Sequence, residues 1–84
     1  MNTIYKYAIE ITDVVDIELP EESTILSAGM QNGTLCIWAQ VNKKSKTITK
    51  KIYIFGTGHP MPDIPLKYIC TVFDDSLVWH IYQD

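Results

Sequence analysis

The chain has 84 residues, and seven lysines stand against ten aspartates and glutamates, for a net charge of −3. That length allows one domain with a small core, and 46% hydrophobic with 20% charged residues is a globular composition, not a disordered one. No run approaches the roughly 18 apolar residues of a membrane-spanning helix, and Met1-Asn2-Thr3-Ile4-Tyr5-Lys6 lacks the basic-then-apolar pattern of a signal peptide.

Taken in order, the elements read as short strands. Residues 3–11 alternate and are rich in Ile and Tyr. Residues 14–19 form a second run, closed by Pro20, which has no N–H for a ladder. Residues 25–31 form a third. Asn32-Gly33 then tolerates positive φ and predicts a tight hairpin into 34–41. In that fourth strand Leu35, Ile37, Ala39 and Val41 share one face, and Cys36, Trp38 and Gln40 the other. Residues 42–46 are polar and predict a turn. Residues 47–55 are the fifth strand, with Ile48, Ile52 and Ile54 on one side. Residues 66–73 and 77–82 are the sixth and seventh, joined by a turn at Asp74-Asp75-Ser76. No helix is expected. The fold class is all-β: a small antiparallel sandwich or barrel-like sheet of six to seven strands in a single domain, 1–84. The fourth and last strands carry large apolar or aromatic groups on both faces. A second copy of the chain would cover them, so a homo-oligomer, dimer or tetramer, is expected.

Charge is uneven along the chain. Lys6 faces six acids before residue 43, whereas Lys43, Lys44, Lys46, Lys50 and Lys51 come without an acid between them. This run is either a solvated hairpin tip or a cationic rim for an anion. There is no arginine, which argues against a reader of duplex nucleic acid. Cys36 and Cys70 are too few and too far apart for a zinc site, and both are expected reduced.

The least regular segment is Phe55-Gly56-Thr57-Gly58-His59-Pro60-Met61-Pro62. Its glycines permit positive φ, and its amides are expected to converge on an anion. Thr57 adds a hydroxyl and His59 a ring that can stack or donate. Pro60, Pro62 and Pro65 stiffen the chain beyond His59. The bland alternative is a rigid crossover between two strands. The segment is no Walker loop, because it lacks a Gly-Lys-Ser/Thr, and no dinucleotide fingerprint, because no third glycine opens a helix. His59 and His80 are the only histidines. No spacing joins either to a nucleophile and an acid, so no enzyme, cofactor or metal is expected. Trp38 is the expected base-stacking platform. Gly56, Thr57, Gly58 and His59 are expected at phosphate or sugar, and Lys50 or Lys51 would supply charge.

These blocks, with Gln31-Asn32-Gly33, Trp38-Ala39-x-Val41, Tyr68-Ile69-x-Thr71 and Leu77-Val78-Trp79-His80, resemble a family of very small phage and prophage domains of unknown function. The resemblance covers nearly the whole chain, and Gly-Thr-Gly-His-Pro is its most distinctive part. It implies kinship with phage anti-CBASS sponges, which bind cyclic oligonucleotide signals such as 3′,3′-cGAMP without cleaving them. The implied protein is a homo-oligomeric trap in the cytoplasm of an infected bacterium, its ligand held where subunits meet. The alternative is a phage accessory protein that caps a host or virion protein.

Overall fold

The computed structural model describes residues 2–84. Seven strands appear: β1 (Asn2–Ile9), β2 (Val14–Pro20), β3 (Ser23–Gln31), β4 (Thr34–Asn42), β5 (Thr47–Gly56), β6 (Lys67–Asp74) and β7 (Leu77–Gln83). They form two antiparallel sheets, β1-β4-β3 and β2-β5-β7-β6. The all-β expectation therefore holds, with seven strands and no helix among the described residues. The Cα envelope is 39 × 32 × 16 Å, and its thin dimension suits two sheets stacked at about 10 Å.

The two sheets also meet edge to edge. β3 lies beside β6, and β1 approaches β2, so the section is that of a flattened barrel. At the β3–β6 seam one thiol takes the place of a backbone ladder. The Cys70 Sγ–H donates to the Ala28 carbonyl at 3.2 Å, and the Ala28 N–H donates back to Sγ at 3.3 Å. Both edge strands bulge there, between Ile25 and Ser27 and between Tyr68 and Cys70. A bulge twists an edge strand and interrupts its pairing. Cys70 is thus a seam residue, while Cys36 is 2% exposed, and both are free.

The core is the set of side chains that the alternation aims inward. Leu35, Ile37, Ala39 and Val41 of β4 meet Ile52 and Ile54 of β5, Leu19 of β2 and Ile81 of β7, all buried. Burying such groups contributes about 1.5–3 kcal/mol each before entropy is subtracted. The Asn32-Gly33 hairpin takes the expected conformation, with φ of 51° and 77°. At the β6–β7 turn Asp75 alone carries positive φ, at 52°.

Most boundaries shift by a residue or two from expectation, and three of them have a visible cause. β1 stops at Ile9, opposite Leu35; one residue further β4 itself ends at Thr34, so no strand lies opposite Ile11. β3 starts at Ser23, two residues early, where Ser23 pairs with Val41. Pro20 lies inside β2, which is tolerated because β2 is an edge strand and pairs only with β5.

Candidate functional site

The site is built where β5 outruns β2. β2 begins at Val14, opposite Tyr53, and the Ile54 N–H donates to the Asp13 carbonyl at 3.1 Å. Phe55 and Gly56 extend past that point and pair only with His80 and Trp79 of β7. The vacated flank is occupied by the loop 57–66, whose His59, Pro60, Pro62 and Ile64 face Val14, Tyr53 and Phe55 across an open cleft of about 420 Å³. Asp13 is the only acidic residue lining it, and no lysine lines it.

Its floor is aromatic. Tyr53 and Phe55 project from the same side of β5, with rings inclined by 13° and centroids 6.4 Å apart. Tyr82 stands edge-on to Phe55 at 5.7 Å, and Tyr68 edge-on to Tyr82 at 5.4 Å. Edge-to-face pairs hold rings in one orientation. Phe55 is only 8% exposed, so the half-buried Tyr53 is the ring of this fixed floor that a planar group can stack on.

The wall is held by a local exchange of hydrogen bonds. The His59 N–H donates to the Gly56 carbonyl at 3.0 Å, and the Gly56 N–H donates to His59 Nδ1 at 3.2 Å. An Nδ1 that accepts leaves the proton of the neutral ring on Nε2, so that nitrogen is the available donor. These bonds correct one expectation: the Gly56 and His59 amides are spent within the loop and are not free to cradle an anion. The glycines also differ in purpose. Gly58 has a φ of 90°, as a turn requires. Gly56 has no positive φ; a Cβ there would stand 2.8 Å from the His59 ring. Glycine at Gly56 is what lets the His59 ring approach this closely.

His59 lines three neighbouring clefts. Besides the aromatic one, it borders a cleft of about 230 Å³ with Gly56, Thr57 and Trp79, and another of about 170 Å³ with Asp13 and Trp79. Thr57 is anchored from the opposite side. Its hydroxyl is hydrogen-bonded to His80 Nε2 at 2.8 Å, His80 Nδ1 to the Thr71 hydroxyl at 3.2 Å, and Thr71 to the Tyr68 hydroxyl at 2.7 Å. A hydroxyl beside an imidazole has the outline of a nucleophile and its base. Here the ring is oriented from its other side by Thr71, and the chain of hydrogen bonds fixes the Thr57 hydroxyl.

The remaining expected residues lie apart. Trp38 is on β4 of the other sheet, opposite Lys6 and Ser27, with its ring over Gly29. It lines neither of the two larger clefts that His59 borders. Lys51 shares a face with Tyr53 by strand alternation, but its ammonium is paired with Asp16 at 3.0 Å. That hydrogen bond, then the charge of Asp16, hold the ammonium above its usual pKa. Lys50 points to the opposite side, its Nζ 3.5 Å from the Asp84 carbonyl. Lys43, Lys44 and Lys46 lie at the β4–β5 turn, with Lys46 3.8 Å from Glu21, so the basic run is not one rim. Within one chain, Gly56, Thr57, Gly58 and His59 come together; Trp38, Lys50 and Lys51 do not converge on them.

Asp13, Tyr53 and Phe55 are functional candidates that sequence reasoning missed. The signal available is the aromatic pair two apart on one strand, joined directly to a Gly- and Pro-rich loop.

A family model described as a domain of unknown function (DUF7352) matches residues 1–84. The chain belongs to that family. Neither a curated protein nor a solved structure matches the chain. The expected membership in a family of unknown-function domains, over the full length, thus stands. Among the described residues no group of three or more His, Cys, Asp or Glu is placed to hold a metal ion, and no helix is long and apolar enough to cross a membrane.

Proposed function

We propose that this DUF7352 protein is a non-enzymatic binding protein that takes a flat ring into the cleft over Tyr53 and Phe55. The ring is a nucleobase, and the ligand is a cyclic oligonucleotide messenger of the 3′,3′-cGAMP kind, sequestered in the cytoplasm of a phage-infected bacterium. The observation that carries this reading is the aromatic floor with a loop wall, in a volume of about 420 Å³. Ligand pockets commonly span about 300–1,000 Å³, and this cleft, at the small end, suits one base with its sugar. A second copy of the chain would take the other base. Stacking supplies on the order of 1–3 kcal/mol per base, and the Nε2–H of His59 is a donor for a sugar or phosphate oxygen. Enclosure between copies slows release, which a stoichiometric trap needs.

The experiment is a melting-temperature panel with cyclic di- and trinucleotides, then heat release and chromatography of the ligand. A rise with one ligand recovered intact supports a trap, by mass action on the folded state. A rise with altered ligand makes the protein an enzyme and turns attention to Thr57 and His80. A second reading rests on exposed apolar groups around the same sheet: Phe73 is 72% exposed, Tyr68 57% and Leu77 52%. A protein-capping role would use that surface. No nucleotide response together with capture of one defined host or virion protein would favour it.

A further inference from the structure

We propose that the base held in this cleft is guanine and that the Asp13 carboxylate reads it; this rests on the nucleotide reading above. Asp13 lies in the connection between β1 and β2 and lines both the aromatic cleft and the smaller one beside it. Its main chain is tied to β5 by the hydrogen bond from Ile54 N–H, so its position relative to Tyr53 and Phe55 is set by the sheet. Its carboxylate forms no ion pair among the described residues, although Lys51 pairs with Asp16 and Lys46 with Glu21 nearby in sequence. It is an unneutralised acceptor on the margin of a stacking surface.

An ionised carboxylate only accepts hydrogen bonds, through two oxygens side by side. Guanine offers the complement: N1–H and one N2–H, parallel and adjacent on its Watson–Crick edge. Adenine offers N6–H next to the N1 lone pair, and cytosine N4–H next to the N3 lone pair. Each sets one attraction against one repulsion. Uracil places N3–H between two carbonyl oxygens. Only guanine satisfies both carboxylate oxygens, and such charge-assisted paired bonds are the strong class. A site built to hydrogen-bond a particular edge rejects analogues that lack it far better than an apolar pocket does. The absence of lysine from the lining fits the same conclusion: selectivity in this cleft comes from the base edge and not from phosphate.

The test titrates the full chain with cyclic di-GMP and cyclic di-AMP in a calorimeter, alongside Asp13→Asn and Tyr53→Ala. Asn replaces one acceptor oxygen with a donor, and Asp13 is exposed, so the variant keeps the fold. The expected result is that cyclic di-GMP binds at least about tenfold tighter than cyclic di-AMP, as hydrogen bonds to a charged group warrant. Asp13→Asn should erase that preference, and Tyr53→Ala should weaken whichever ligand binds. Equal binding of both ligands, or a guanine preference that survives Asp13→Asn, overturns the role of Asp13 and leaves the nucleotide reading standing. No binding of either ligand, nor of cyclic GMP–AMP, overturns both.

Discussion

The outward-facing surfaces of β4 and β5 make an instructive pair. Both strands run through the middle of a sheet, and both aim aliphatic side chains at a common core. Their other faces also look alike in sequence: Cys36-x-Trp38-x-Gln40 on one, Lys51-x-Tyr53-x-Phe55 on the other. Trp38 is the larger ring and sits over Gly29 on a sheet with tight turns at its ends. Tyr53 and Phe55 lie beside the long loop 57–66, and only there does a wall rise over the aromatic floor. A stacking surface becomes a site when something encloses it, because enclosure removes water and fixes the ligand's second side.

The largest effect should fall on both faces at once. Ile52 is fully buried in the shared core. Ile52→Ala should cost about 2–5 kcal/mol, read as a lower urea midpoint. A change below about 1 kcal/mol would mean that the two sheets do not share one core. Next is the contrast itself. Tyr53→Ala should weaken ligand binding by about tenfold or more, from the loss of one stacked ring. Trp38→Ala should leave binding to a single chain unchanged. A tenfold loss at Trp38 in titrations would instead mean that a second copy brings that ring to the cleft.

The wall can be disturbed without touching the floor. Gly56→Ala should push the His59 ring aside, because the new methyl would lie 2.8 Å from it. Binding should fall about as much as in His59→Ala, and combining the two should add little. Additive losses in that double-mutant cycle would separate Gly56 from His59. The seam offers a smaller effect. Cys70→Ala removes the thiol that bonds both polar groups of Ala28. It should destabilise the fold by about 1–3 kcal/mol, the cost of stranding partly buried backbone groups, with ligand affinity retained. The smallest change concerns Lys51 and Asp16, an exposed pair. Exposed pairs contribute little and are screened by salt. Since Lys51 is held above its ordinary pKa, any contribution is complete at neutral pH and disappears only as alkali removes the proton. A pH titration of melting temperature between 6 and 9 should show no step from this group.

Much of the fold is legible from residue order. Alternation places Leu35, Ile37, Ala39 and Val41 in the core, and Asn32-Gly33 announces its turn, because side-chain period and positive-φ tolerance are local properties. The loop around Gly56 and His59 stands out for the same reason. Its internal bonding does not, since a histidine ring resting on a glycine three residues back depends on the path the chain takes between them. Trp38 stands out in sequence for its chemistry alone, which carries no information about what lies beside it. Asp13 is one of many acids in an acidic half, with nothing local to distinguish it.

By itself, then, the order of residues determined seven strands, their inward faces and one distinctive loop. Those arise from backbone preferences and a two-residue period, which are written residue by residue. Only the tertiary structure decided that the strands divide into β1-β4-β3 and β2-β5-β7-β6, that Cys70 closes the seam between them, and that Asp13, Tyr53 and His59 border one cleft. Tyr53 and His59 are near neighbours in the chain, but Asp13 comes from a distant connection between two other strands. Their proximity depends on strand pairing across the sheet, and no local pattern encodes which strands pair.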